Sequence, residues 1–107
     1  MDSQEVASLV SRVASEKKGT DIVVLDVRDI TTITDFFVII SASNPKHAKA
    51  IADEIMENLP DGILHHVEGY EVSRWILMDL GSVIVNVMLP EERAYYDLER
   101  LWSEATL

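Results

Sequence analysis

Three aspartates, Asp26, Asp35 and Asp79, lie at or beside the ends of apolar runs, and a Gly81-Ser82 pair follows the last of them. Carboxylates that converge at strand ends can hold magnesium against a phosphoryl group, and a Gly-Ser pair accompanies such sites in nucleotidyl transfer. That chemistry asks for more than this chain supplies. No Asp-x-Asp pair follows the Gly-Ser, and no glycine-rich phosphate loop occurs anywhere. His65 and His66 are adjacent in a predicted strand, so their rings point to opposite faces and cannot share one metal. His47 lies near the start of a predicted helix beside Lys46 and Lys49, with no acid four residues away to orient it as a base. The absence of cysteine removes disulfides, thiolate catalysis and cysteine-ligated zinc together. The chain therefore reads as a non-enzyme with no catalytic residues, metal or cofactor. The alternative is a nucleotide-dependent transferase with a carboxylate–magnesium site.

Any such groups would have to be held by a chain of 107 residues, long enough for one core, so residues 1–107 are expected to form a single domain. With 48% hydrophobic and 26% charged residues, the balance is that of a globular protein. Residues 1–11 lack a basic, apolar signal pattern, and no run approaches the roughly 18 apolar residues that span a bilayer. Those features predict a cytoplasmic protein, or one trimmed after entering an organelle, with no membrane contact. The net charge is −10, and it is uneven: residues 1–52 carry seven acids and six bases, residues 53–107 twelve acids and three bases. Nucleic-acid backbones are gripped by Lys and Arg, so direct nucleic-acid recognition is not expected. A basic protein partner suits the acidic half better, although the charge serves solubility equally well.

Val6, Leu9, Val10 and Val13 recur at helical spacing after Asp2-Ser3-Gln4-Glu5, an acid-capped form of the capping box, and Gly19 ends that helix. Ile22 to Val27 and Phe36 to Ile40 read as strands buried on at least one face, joined by a polar Asp29 to Thr34 connection. Asn44 caps a second helix with Pro45 at its first position. Ala48, Ile51, Ala52, Ile55 and Leu59 form its inward stripe, and Pro60-Asp61-Gly62 stops it. A further strand, Ile63 to Val67, completes a crossover, right-handed if its two strands run parallel. The class is α/β.

A two-residue Gly81-Ser82 turn fixes the register of the hairpin that follows. Leu80 then faces Val83, Met78 faces Val85 and Ile76 faces Val87, all on one apolar face that should be the core. Trp75 with Met88, Leu77 with Asn86, and Asp79 with Ile84 fall on the opposite, amphipathic face. A helix of the same chain could cover that face, or a partner could, since interface cores favour large aromatic and Met side chains. Pro90 opens a final helix with Glu91 and Glu92 in its first turn. Ala94, Leu98 and Leu101 are its expected inward stripe, flanked by Tyr95 and Trp102, with Arg93, Tyr96 and Glu99 on neighbouring ridges.

Two segments, DVRDITTITDFFVIISASNPKHAKAIADEI and EGYEVSRWILMDLGSVIVNVMLPEERAYYDLERLW, carry a resemblance. From about Asp21 to Trp102 the chain resembles the ribosomal silencing factor family, also called Iojap. The most specific parts are Thr34-Asp35-Phe36-Phe37, Glu68-Gly69, Trp75 with Asp79-Leu80-Gly81, and Arg93, Tyr96, Leu98-Glu99 and Leu101-Trp102. The chain departs from the family where Asn86 replaces the usual His, Met88 an aromatic, Ala42 a Gly and Asn44 a Ser.

The resemblance implies a small mixed β-sheet of about five strands flanked by helices, distantly nucleotidyltransferase-like but without that active site. It implies a protein that binds the large ribosomal subunit through its fourteenth ribosomal protein, on the side that faces the small subunit. Subunit association is thereby blocked and translation repressed under nutrient limitation, as in stationary phase. A homodimer is implied when the protein is free. On this reading the partner is held through Trp75, Leu77, Asp79, Asn86, Met88, Arg93, Tyr96 and Glu99. Trp75, Met88 and Tyr96 are expected to be the apolar anchors, and Asp79 and Glu99 to meet basic side chains.

Overall fold

The computed structural model describes residues 1–105, with side chains described as far as Trp102. Asp2 opens helix α1 (Ser3–Glu16) with a reciprocal cap: the Glu5 amide donates to the Asp2 carboxylate at 2.8 Å, and the Asp2 amide donates to Glu5 Oε1 at 3.0 Å. The helix buries Val6, Ala7, Val10, Val13 and Ala14, and Leu9 packs half-buried at the edge of the same stripe. Strands β1 (Thr20–Asp26) and β2 (Phe36–Ser41) pair antiparallel, with an irregularity between Thr20 and Val23. Helix α2 (Pro45–Asn58) begins as its sequence predicts, the Asn44 side chain accepting from the His47 amide at 2.8 Å.

Strands β3 (His66–Glu68), β4 (Trp75–Asp79) and β5 (Val83–Met88) complete a five-stranded sheet of order β1-β2-β5-β4-β3. Only β2 and β5 pair parallel; the other neighbours are antiparallel. It follows that β3 runs in the direction of β2, and α2 carries the chain across β5 and β4 to reach it. The hairpin returns β5 into the centre of the sheet, which explains why Val83, Val85 and Val87 are fully buried. The predicted register holds at every pair, from Trp75 opposite Met88 to Asp79 opposite Ile84. The six residues assigned to the core face all lie in the cluster beneath α1 and α2.

Two expectations about extent are corrected. The strand predicted from Ile63 to Val67 is a three-residue strand displaced toward Glu68. The turn after α2 reaches further than its Pro-Asp-Gly signal, with the Ile63 amide donating to the Pro60 carbonyl, and pairing starts only where the His65 amide donates to Asp79 O at 2.8 Å. The final helix is two helices, α3 (Pro90–Tyr96) and α4 (Leu98–Ala105), broken at Asp97, whose φ of 46° is left-handed. Asp tolerates that region better than most residues with a Cβ. The break turns the expected inward stripe: Ala94 and Leu101 are exposed and Leu98 is half-buried.

His47 ties α1 to α2. Its Nδ1 accepts from the Ser43 amide at 3.0 Å, which leaves Nε2 to carry the proton and donate to the Lys17 carbonyl at 2.8 Å, thirty residues away in sequence. A residue without an obvious catalytic setting in the sequence is thus a staple between the end of one helix and the start of the next. At about 1 kcal/mol net per hydrogen bond, His47→Ala should lower stability by about 1–2 kcal/mol in a urea melt, with an unchanged m-value.

Candidate functional site

The side of the sheet turned away from α1 and α2 carries Phe37, Ile39 and Ser41 of β2, Ile84, Asn86 and Met88 of β5, and Trp75, Leu77 and Asp79 of β4, as the register requires. Helices α3 and α4 return across part of it. Trp102 meets Phe37 edge-on at 4.6 Å between ring centroids, and Tyr96 lies tilted on Trp75 at 4.8 Å. The chain therefore covers the centre of this face and leaves its β4 side half-open.

That division sorts the eight candidate residues. Trp75, Leu77 and Asp79 are partly accessible along β4, and Tyr96 is half-exposed. Met88, expected as an anchor, is fully buried, in register between Trp75 of β4 and Ser41 of β2, and Arg93 of α3 donates to that Ser41. Asn86 is buried as well, and its role is to orient: its Oδ1 accepts from the Trp75 indole N–H at 2.9 Å. Accepting with the oxygen leaves Nδ2 facing away, and it finds no hydrogen-bond partner among the described residues.

Arg93 is the hub. Its guanidinium donates to Ser41 Oγ at 2.8 Å and grips Glu99 with two parallel bonds of 3.0 and 3.1 Å. Glu99, expected to meet a basic side chain, thus has one within its own chain. The acids of the first turn of α3 are held in the same way by Arg74, which donates to both Glu92 oxygens and to Glu91. The bond from Arg74 holds the Glu92 carboxyl below its usual range. A depressed carboxylate contributes stability above its unfolded value and loses it as pH falls through the folded one. The Tm difference between the wild type and Glu92→Gln should accordingly be full at neutral pH and shrink in acid.

The aspartates of the transferase alternative do sit at one end of the sheet, yet they do not converge. Asp26 ends β1 and Asp79 ends β4, three strand spacings away, or about 14 Å. By alternation they also face opposite sides, since Asp26 pairs with core-facing Phe36 and Asp79 with Ile84. Asp26 is engaged in an ion pair with Arg28 at 2.7 Å and Asp79 accepts from the Gly81 amide at 2.8 Å, while Asp35, just before β2, is two strand spacings, about 10 Å, from β4. His66 pairs with Glu68 at 3.0 Å while His65 lies against Gly81 at the hairpin tip. Among the described residues no three His, Cys, Asp or Glu side chains gather as a metal would require, and no helix is long and apolar enough to cross a membrane.

Sequence reasoning missed Arg74. Its position before β4 carries no local signal, and only the return of α3 beside Leu89, whose amide donates to the Arg74 carbonyl, brings it to Glu91 and Glu92.

The arrangement is a buried scaffold with an aromatic, acidic rim and no gathered chemistry, and the comparisons with known proteins agree with its fold. A crystal structure of a Chromobacterium violaceum protein superposes with a TM-score of 0.92 at 34% identity, covering 96% of this chain and 88% of that one. The ribosomal silencing factor RsfS of Halalkalibacterium halodurans is 41% identical over 98% of this chain and 92% of its own. That of Bacillus subtilis is 36% identical over 100% and 92%. The family model described as "Ribosomal silencing factor during starvation" matches residues 1–107. With the family description matched over residues 1–107, relatives at 41% and 36% identity along nearly the whole chain and a shared fold, this chain belongs to the ribosomal silencing factor family.

Proposed function

We propose that the protein represses translation by steric occlusion: it binds the large ribosomal subunit on the side that faces the small subunit and prevents the two from joining. The observation that carries this reading is the half-open strip of Trp75, Leu77, Asp79 and Tyr96, where aromatic and apolar area stands beside the Asp79 carboxylate. Interface cores are enriched in such residues, and the acidic half-chain suits a basic ribosomal protein, the fourteenth of the large subunit. Within the site, Trp75, Leu77 and Tyr96 are the apolar contacts and Asp79 the acidic one. Arg93 and Glu99 brace the helices behind them, and Asn86 and Met88 support from beneath. The protein acts without catalysis, in the cytoplasm, and pairs with a second copy when free of the ribosome. The 107 residues work as one domain.

Sucrose-gradient sedimentation with separated subunits tests this directly. Comigration with the large subunit alone, together with failure of the subunits to reassociate, is the expected result. A folded protein that stays at the top of the gradient, or joins the small subunit, overturns it.

A further inference from the structure

Trp75, Tyr96 and Tyr95 form a ladder of rings that climbs from the sheet into solvent, with centroids 4.8 Å apart at the first step and 5.0 Å at the second. The outer rung is Tyr95, 82% exposed. Beside the two upper rungs, Glu91, Glu92, Tyr95 and Tyr96 line an open crease of about 310 Å³ along one face of α3. Arg74 is shared between Glu91 and Glu92, so two carboxylates meet one guanidinium and a negative charge is left over at the rim. Tyr95 and Glu91 lie outside the strip assigned to partner binding above.

This chemistry selects its occupant. An anion is repelled by the surplus carboxylate charge, and an apolar side chain would strip water from Glu91 without replacing its hydrogen bonds. A cation satisfies both features, because ring faces are electron-rich and carboxylates accept charge-assisted bonds. A guanidinium does so best: its plane stacks on a tyrosine while its edge donates as a planar fork to a carboxylate, whereas an ammonium is a compact, strongly hydrated point charge without that fork. We propose that the crease receives an arginine side chain of the large-subunit protein that docks on the Trp75 strip, an inference that rests on the function proposed above.

The experiment is quantitative sedimentation with large subunits at graded salt, comparing the wild type with Tyr95→Ala, Tyr95→Phe, Glu91→Lys and, in parallel, Trp75→Ala. Tyr95 is exposed, so its variants should keep the wild-type Tm, whereas Glu91→Lys loses the Arg74 bond of 3.3 Å and should lower Tm slightly while remaining folded. Tyr95→Ala is expected to weaken binding about threefold and Tyr95→Phe to leave it unchanged, as the ring is retained. Glu91→Lys is expected to weaken it about tenfold at low salt, less as salt rises. Wild-type binding by both Tyr95→Ala and Glu91→Lys, with Trp75→Ala impaired, overturns the arginine crease and leaves the proposed function standing. Absence of large-subunit binding by the wild type overturns both. A change confined to self-association of the free protein assigns the crease to a second copy and likewise overturns the inference.

Discussion

Trp75→Ala is expected to weaken association with the large ribosomal subunit by about thirtyfold or more while the chain remains folded. Aromatic anchors at interface centres typically cost about 2 kcal/mol or more when truncated, and 1.4 kcal/mol is a factor of ten. Trp75 has the features of such an anchor. Its indole N–H is satisfied internally by Asn86 at 2.9 Å, and Tyr96 packs on its ring, so it is held in place before a partner arrives. Little rotamer freedom is left to lose on binding, so more of the energy of burying the ring against a partner survives as affinity. Truncation also leaves the buried Asn86 amide without its indole donor, so some stability goes with the affinity. Leu77→Ala, on the same strip and with no hydrogen bond of its own side chain to lose, separates the two effects: its deficit should lie in binding. Undiminished sedimentation of Trp75→Ala with large subunits would remove the strip from the interface.

Much of this site was legible because its geometry is local. A Gly-Ser turn and a period of two were enough to pair Trp75 with Met88 and Leu77 with Asn86, and to place the six core residues on the other face. The helix start at Asn44-Pro45 was equally local. What could not be read was set by distant segments. Nothing near Met88 says that α3 will fold back and bond to Ser41 beside it, so an apolar residue opposite a tryptophan looked available when it is buried. The strand order had the same cause, since β5 inserts beside β2 across more than forty residues of intervening chain.

The break at Asp97 was hidden for a different reason. Arg93, Tyr96 and Glu99 keep a helical spacing straight through it, so the pattern argues for one continuous helix. In such a helix, residues six apart would sit about 9 Å along the axis and on different sides, and Arg93 could not grip Glu99 with both nitrogens. The left-handed turn at Asp97 is what brings them together. Here a tertiary requirement, closing the strap over the sheet through Ser41, overrides the local periodicity.

Gly69 provides the largest expected loss of stability from a single methyl group. Two of the glycines, Gly62 and Gly69, have nearly the same left-handed backbone, with φ of 85° and 78°. At Gly62 a Cβ would meet nothing within 4 Å; at Gly69 it would fall 2.1 Å from the carbonyl oxygen of Trp75. Gly62→Ala should therefore show the backbone strain alone, about 1 kcal/mol and a Tm lower by about 4 °C. Gly69→Ala adds a collision that only movement of the β3–β4 backbone can relieve, since the opposing atom belongs to the main chain. Its loss should be about 3 kcal/mol or more, lowering Tm by about 12 °C or more. The residue pushed aside is Trp75, so Gly69→Ala should also bind large subunits more weakly at temperatures where it is still folded, whereas Gly62→Ala should bind as the wild type does. Equal losses of stability in the two variants would mean that the loop between β3 and β4 yields freely, and that Gly69 has no part in fixing the tryptophan.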